Sequence, residues 1–223
     1  MGSTALSLRF PLILLAIVDI YLLAQRLSPL SEVFNLPLNG AVGIDPAVCL
    51  AAYIFFLLWL PRKQQAPMKK ALGIALLFGL AGGALIVAEL QLKATAASQD
   101  TPPPVLITRG LLIAAAVLWG VAGTRGGKLT GNAGVGLLAG LWAAMVSSLM
   151  AATAILARMS MAGTPAQVSS DPWKQYQGLA IGNAATQALV VSLNSATFYL
   201  LVGPLAGAVL GLFFALFSQS EKA

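Results

Sequence analysis

Seven residues near the N-terminus, Ile17 to Leu23, read IVDIYLL and set the carboxylate of Asp19 inside an otherwise apolar run. An ionised carboxylate in such surroundings has three outlets: it takes a proton, pairs with a cation, or opens onto water. Two more charged residues, Glu89 and Arg109, stand within apolar segments. Two acids and a guanidinium at membrane depth can form a charge pair that fixes helix register, relay protons, or hold a solute ion. A second polar feature comes from Asn183, Thr186, Gln187, Asn194 and Thr197. At about 100° per residue these five fall within about 100° of one another on a helix. Such a stripe makes interhelical hydrogen bonds or lines a pore if its segment spans a bilayer, and faces water and headgroups if the segment lies flat.

Other chemistry is thin. The chain has no histidine, which removes the commonest general base, the His-containing triads, the usual haem ligands and most zinc sites. No nucleophile–base pair or metal-ligand set is visible, so the sequence reads as a non-enzyme with no cofactor and no metal. Around Gly126-Gly127-Lys128 the phosphate-loop pattern fails twice, with Ala122 at the first glycine position and Leu129 where Ser or Thr is needed. The stretch GNAGVG at Gly131 to Gly136 does not fit the dinucleotide pattern G-x-G-x-x-G. Ser147 and Ser148 can hydrogen-bond across helices or back to a carbonyl one turn earlier, but neither has a neighbour to make it a nucleophile. Cys49, the one cysteine, sits in an apolar run and reads as a small buried hydrophobe.

The elements that must position these residues are membrane helices. Hydrophobic residues make up 58% of the 223 and charged residues 9%, against about 25% charged in ordinary soluble domains. Mean hydropathy is +0.86. Apolar runs near the roughly 20 residues that cross a bilayer recur along the whole chain, which leaves no room for a soluble catalytic or nucleotide-binding domain. The reading is therefore one integral membrane domain over 1–223, all-α and polytopic.

Span 1 runs from about Leu8 to Gln25, retained rather than cleaved because no small-x-small site follows it. A connection over 26–46 carries the turn signal Asn39-Gly40, and Asp45-Pro46 opens span 2, about Pro46 to Leu60, as cap and first helical residue. Tyr53, Phe55, Phe56 and Trp59 crowd the far end of span 2 as an interfacial anchor, and Pro61 stops it. Spans 3, 4 and 5 cover about Ala71 to Leu92, Val105 to Ala122, and Ala133 to Ala157. After Pro172 two readings stand: an amphipathic helix from Trp173 to about Val191 followed by a proline-kinked sixth span from Ala196 to Phe217, or two spans with Gly203-Pro204 near the turn, making seven. Six spans plus the amphipathic helix is the preferred count.

Orientation follows the basic residues in short loops. Arg62, Lys63, Lys69 and Lys70 lie in 61–70, and Arg125 and Lys128 in 123–132, on the same side. The opposite connections hold Lys93, Arg158 and Lys174 between them, so the N-terminus is read as cytoplasmic. The charge of +6 is spread beside the spans, which fits topology and anionic headgroups and not a nucleic-acid face. In a bacterium the location would be the cytoplasmic (inner) membrane.

Depth along each span decides which charges can meet. At about 1.5 Å per residue, Asp19 lies roughly 3 Å outward of its span's midpoint, Arg109 about 7 Å and Glu89 about 11 Å. Spans 3 and 4 are antiparallel neighbours, so a cluster of Asp19, Glu89 and Arg109 is expected if span 1 packs beside span 4. Small residues recur every four positions at Gly136, Gly140, Ala144, Ser148 and Ala152, at Gly203, Gly207, Gly211 and Ala215, and at Ala75, Gly79 and Gly83. Such ladders let helix backbones approach, within the bundle or against a partner subunit or second copy. No internal repeat supports an inverted-repeat transporter. The sequence thus points to a non-enzymatic membrane subunit or scaffold. The alternative is a small-solute or ion transporter or channel using Asp19, Glu89, Arg109 and the Asn/Gln stripe.

Overall fold

The computed structural model describes residues 3–27, 40–59, 66–99, 101–161 and 184–220. All regular structure among them is helical: α1 (Ser3–Leu27), α2 (Gly40–Trp59), α3 (Ala66–Ser98), α4 (Val105–Thr130), α5 (Ala133–Met161) and α6 (Ala184–Ser220). Four stretches are long and apolar enough to cross a membrane, at Ala66–Ala96, Val105–Thr130, Ala133–Arg158 and Val191–Ser218. α1 and α2 carry shorter apolar segments, Leu12–Gln25 and Pro46–Phe56.

α5 is the axis of the bundle. Its spanning stretch is 72% buried, against 28–39% for the other three. It packs on α3, α4 and α6, and on α1 at the remaining side, while α2 fills the angle between α1 and α6. Its enclosure follows from composition: Ala139, Ala143, Ala144, Ala151 and Ala152 let neighbours come near on several sides, and Trp142, Val146 and Leu149 fill the gaps.

The closest approach is between α5 and α6. A Cβ on Gly140 would strike the Gly207 carbonyl and come within 2.7 Å of Gly211 Cα; one on Gly207 would strike Ala144. α4 joins through Gly123, which abuts Gly211, and Gly127, whose Cβ would lie 2.9 Å from that of Ala215. On the other flank Gly79 of α3 sits against the Ala143 carbonyl of α5. Gly136, Gly140, Gly203, Gly207 and Gly211 are therefore buried against helices of this same chain. The face they make is occupied by neighbouring helices of the same chain.

α4 and α5 are joined by two residues. Gly131 takes the left-handed conformation (φ 67°) that lets its N–H reach the Gly127 carbonyl at 2.8 Å and end α4. Asn132 then caps α5 by accepting the Gly134 N–H at 2.8 Å. Of the glycines in the failed nucleotide motifs, Gly131 thus ends a helix, while Gly126, Gly127 and Gly136 are packed inside helices. Arg125 and Lys128, expected in a loop over 123–132, are helical residues of α4.

Other boundaries also move. α2 starts at Gly40, so Pro46 lies inside the helix and not at its first position. Tyr53 is buried instead of anchoring at an interface. Gly203-Pro204 sits in the middle of one 37-residue helix, so no turn occurs there and the seven-span arrangement built on it does not appear. α6 already runs helically from Ala184, with no break before Ala196. The expected turn residue Asn39, the loop at 61–65 and the amphipathic segment over 173–183 lie outside the described residues.

The distribution of polarity is reversed relative to a soluble protein. Leu77, Leu106, Ile113, Val209 and Phe213 are exposed, while Asp19, Glu89, Ser147 and Ser148 are buried. Apolar surface outward and polar groups inward is what a hydrocarbon solvent selects.

Candidate functional site: the buried polar groups between helices

The 3-4 spacing of the inner faces puts the acids inside. On α1 the buried residues are Leu12, Ala16, Asp19 and Leu23; on α2, Pro46, Leu50 and Tyr53; on α3, Ala75, Gly79, Gly82, Ile86 and Glu89. Each acid occupies the position where the apolar stripe calls for its next member, so helix packing buries it.

Asp19 is fully buried. Its Oδ1 meets Thr153 Oγ1 of α5 at 2.6 Å, and its Oδ2 has no hydrogen-bond partner among the described residues. The Thr153 oxygen also lies 2.8 Å from the Leu149 carbonyl one turn back. On the neighbouring helix Tyr53 donates its hydroxyl to the Leu200 carbonyl of α6 at 2.8 Å. Buried Ser148 lies beside that hydroxyl, and its Oγ fills the space a Cβ on Gly203 would need. Trp142 Nε1 is buried with no acceptor among the described residues.

Glu89 belongs to a separate group. It is ion-paired with Lys93 one turn along α3, and Tyr199 of α6 donates to its Oε2 at 3.3 Å. Close by, Arg158 of α5 donates to the Leu90 carbonyl at 3.2 Å. Lys93 and Arg158 are both solvent-accessible, so this group lies at the edge of the bundle, toward the α5 C-terminus.

The structure therefore does not assemble Asp19, Glu89 and Arg109. α1 packs on α5 and α2, with a small contact on α3, and α4 is packed instead with α3, α5 and α6. Arg109 is exposed in the second turn of α4. Of the polar stripe, Asn183 and the side chains of Thr186 and Gln187 lie outside the described residues. Asn194 and Thr197 are half-buried on α6, and Thr197 returns its hydroxyl proton to the Leu193 carbonyl at 2.9 Å, as a threonine satisfied by its own helix does.

A third polar junction is purely structural. Ser147 Oγ accepts from Trp119 Nε1 of α4 at 3.0 Å and donates toward the Gly79 carbonyl of α3 at 2.8 Å, with the Ala143 carbonyl at 3.1 Å. One hydroxyl ties three helices. Ser147→Ala is expected to lower stability by about 1–2 kcal/mol, because it strands the buried Trp119 N–H in an apolar surround. Thermal unfolding in detergent measures this. Trp119→Phe added to Ser147→Ala should recover part of the loss by removing the stranded donor; no recovery would show that packing and not the hydrogen bond carries the effect.

Thr153, Tyr53, Tyr199 and Trp119 were not among the sequence candidates. Tyr53 had a readable signal, since it stands seven residues after Pro46 and three after Leu50 on one face. Thr153 had none, because a single threonine among alanines does not announce its partner. Comparison of the chain with protein-family models, with curated proteins and with solved structures finds no match in any of the three.

Proposed function

We propose that the chain is an integral membrane protein of six spans, in one domain over 1–223, serving as a non-enzymatic membrane-embedded subunit or scaffold with its N-terminus cytoplasmic. The observation that carries this reading is where the buried polar groups go. Asp19 meets Thr153, Tyr53 meets Leu200, Tyr199 meets Glu89, and Ser147 meets Trp119 and Gly79. Each of these contacts joins two helices, which is the use hydrogen bonds have in helix association within lipid. α1 and α2 run 25 and 20 residues, with apolar segments at Leu12–Gln25 and Pro46–Phe56 inside them, and in this reading they are the first two spans. In a bacterium the location in this reading is the cytoplasmic membrane.

Topology is tested with Cys49 replaced and new cysteines at exposed positions. Gly126 is buried against α5, so Lys128 and Lys70 serve for one side and Gln99 for the other. In intact cells, Lys128→Cys and Lys70→Cys are expected to resist a membrane-impermeant thiol reagent, and Gln99→Cys to react. The reverse pattern overturns the orientation. The subunit reading expects a partner of fixed stoichiometry after mild detergent extraction.

A transporter or channel is the second reading, favoured by one observation: a buried carboxylate oxygen, Asp19 Oδ2, with no hydrogen-bond partner among the described residues. Solute flux by the purified chain in vesicles, lost in Asp19→Asn, would replace the subunit reading with this one.

A further inference from the structure

We propose that the Asp19–Thr153 pair is a proton-binding site, in which Asp19 is held between α1 and α5 as a neutral carboxylic acid that releases its proton reversibly. The inference goes beyond the subunit reading and rests only on the membrane placement given above.

Proton bookkeeping at three oxygens supports it. Thr153 Oγ1 lies 2.6 Å from Asp19 Oδ1 and 2.8 Å from the Leu149 carbonyl, yet a hydroxyl has one proton to give. With Asp19 ionised, Thr153 must choose between two acceptors, and one contact goes unmade. With a proton on Oδ1, the acid donates to Thr153, Thr153 donates to Leu149, and both distances become hydrogen bonds. The second oxygen agrees. Oδ2 is buried without a hydrogen-bond partner among the described residues, a tolerable state for a neutral carbonyl oxygen and an expensive one for half of a carboxylate.

The surrounding groups leave the neutralising charge to a proton. Among the described residues no Lys or Arg is paired with Asp19. From α2 the titratable group turned toward it is Tyr53, whose hydroxyl is committed to Leu200. α5 offers Thr153 and carries Arg158 at its exposed end, bonded to Leu90; the acid of α3, Glu89, is already held by Lys93 and Tyr199. A hard metal cation needs about six oxygen ligands, and the contacts at Asp19 supply a carboxyl group and one hydroxyl.

The site has two states by construction. Loss of the proton returns Thr153 to Asp19 and leaves a charge between α1 and α5 that draws water to Oδ2. Protonation of Asp19 thus bears directly on how tightly α1 seats on the core.

Infrared spectroscopy of the full chain in phosphatidylcholine vesicles, with aspartate carboxyls carbon-13 labelled, reads the state without a mutation. The expected result is a protonated-carboxyl C=O band at neutral pH that is lost as pH rises, is unaffected by sodium, and moves to higher frequency in Thr153→Val. Asp19→Asn should remove the band while keeping the fold, since its amide can also donate to Thr153. A spectrum showing only ionised carboxylates at neutral pH overturns the proposal. Sodium-dependent loss of the band at constant pH overturns it in favour of a metal-cation site. Flotation of the same sample with lipid is read separately: a chain that does not float fails the membrane placement, whatever the spectrum shows.

Discussion

Gly140→Val leaves no folded bundle: its detergent-extracted protein is expected to elute as aggregate and to lack a cooperative thermal transition. Extra methylenes in a packed core usually cost about 1–3 kcal/mol, and the cost rises when the neighbour is backbone that cannot turn aside. At Gly140 the obstacles are the Gly207 carbonyl and the Gly211 Cα and N, all main-chain atoms of α6. The loss is therefore expected to exceed about 3 kcal/mol, a large share of the roughly 5–15 kcal/mol that holds a domain together. Gly110→Val is the control, since a Cβ there meets nothing within 4 Å on the exposed side of α4. It should be neutral or mildly stabilising, because glycine is a poor residue inside a helix. Equal behaviour of the two variants would show that α5 and α6 are further apart than described.

Asp19→Lys is expected to have the second largest effect, releasing α1 from the core. It puts an ammonium where the acid stood, with the Thr153 hydroxyl as neighbour and no carboxylate paired at the site. A cation at the centre of a span costs about 2.5–3.5 kcal/mol on insertion scales. The readout is protease accessibility of α1 in vesicles together with thermal unfolding in detergent. Asp19→Asn should stay close to the parent protein in both. Adding Arg109→Gln to Asp19→Asn tests the arrangement from the other direction. Arg109 is exposed on α4, which packs with α3, α5 and α6, so the coupling between the two changes should be near zero. A coupling above about 1 kcal/mol would mean that the guanidinium does reach Asp19.

The helices and their small-residue seams were legible because they are written in local periodicity. The Gly136–Gly140–Ala144–Ser148 ladder and the Gly203–Gly207–Gly211 ladder announced close-packing faces, and these face each other. What the ladders could not announce is whether the facing surface belongs to the same chain. The burial of Glu89 was also readable, since it continues the stripe of Ala75, Gly79, Gly82 and Ile86. Its partner was misread, because depth alone pointed to Arg109 across a short loop while Lys93 was one turn away on the same helix. The Asp19 contact failed for a different reason. Depth along a helix is a one-dimensional quantity, and the neighbour of α1 is decided by lateral packing, which put α5 and not α4 beside it. Pro46 and Gly203-Pro204 misled as boundary signals because a helix in apolar surroundings keeps its remaining hydrogen bonds and runs through proline.

The contact between Asp19 and Thr153 spans 134 positions of sequence. At ribosomal speeds of about 5–20 residues per second, Thr153 is made roughly 7–27 s after Asp19. During that interval α1 carries its acid without the hydroxyl that will receive it. Tyr53 and the whole of α2 come sooner, but the Leu200 carbonyl that fixes Tyr53 arrives later still. α4 and α5, joined by Gly131 and Asn132 alone, are neighbours both along the chain and in the bundle. The first two helices are thus made well before the groups they contact in the core, Asp19 before Thr153 and Tyr53 before Leu200.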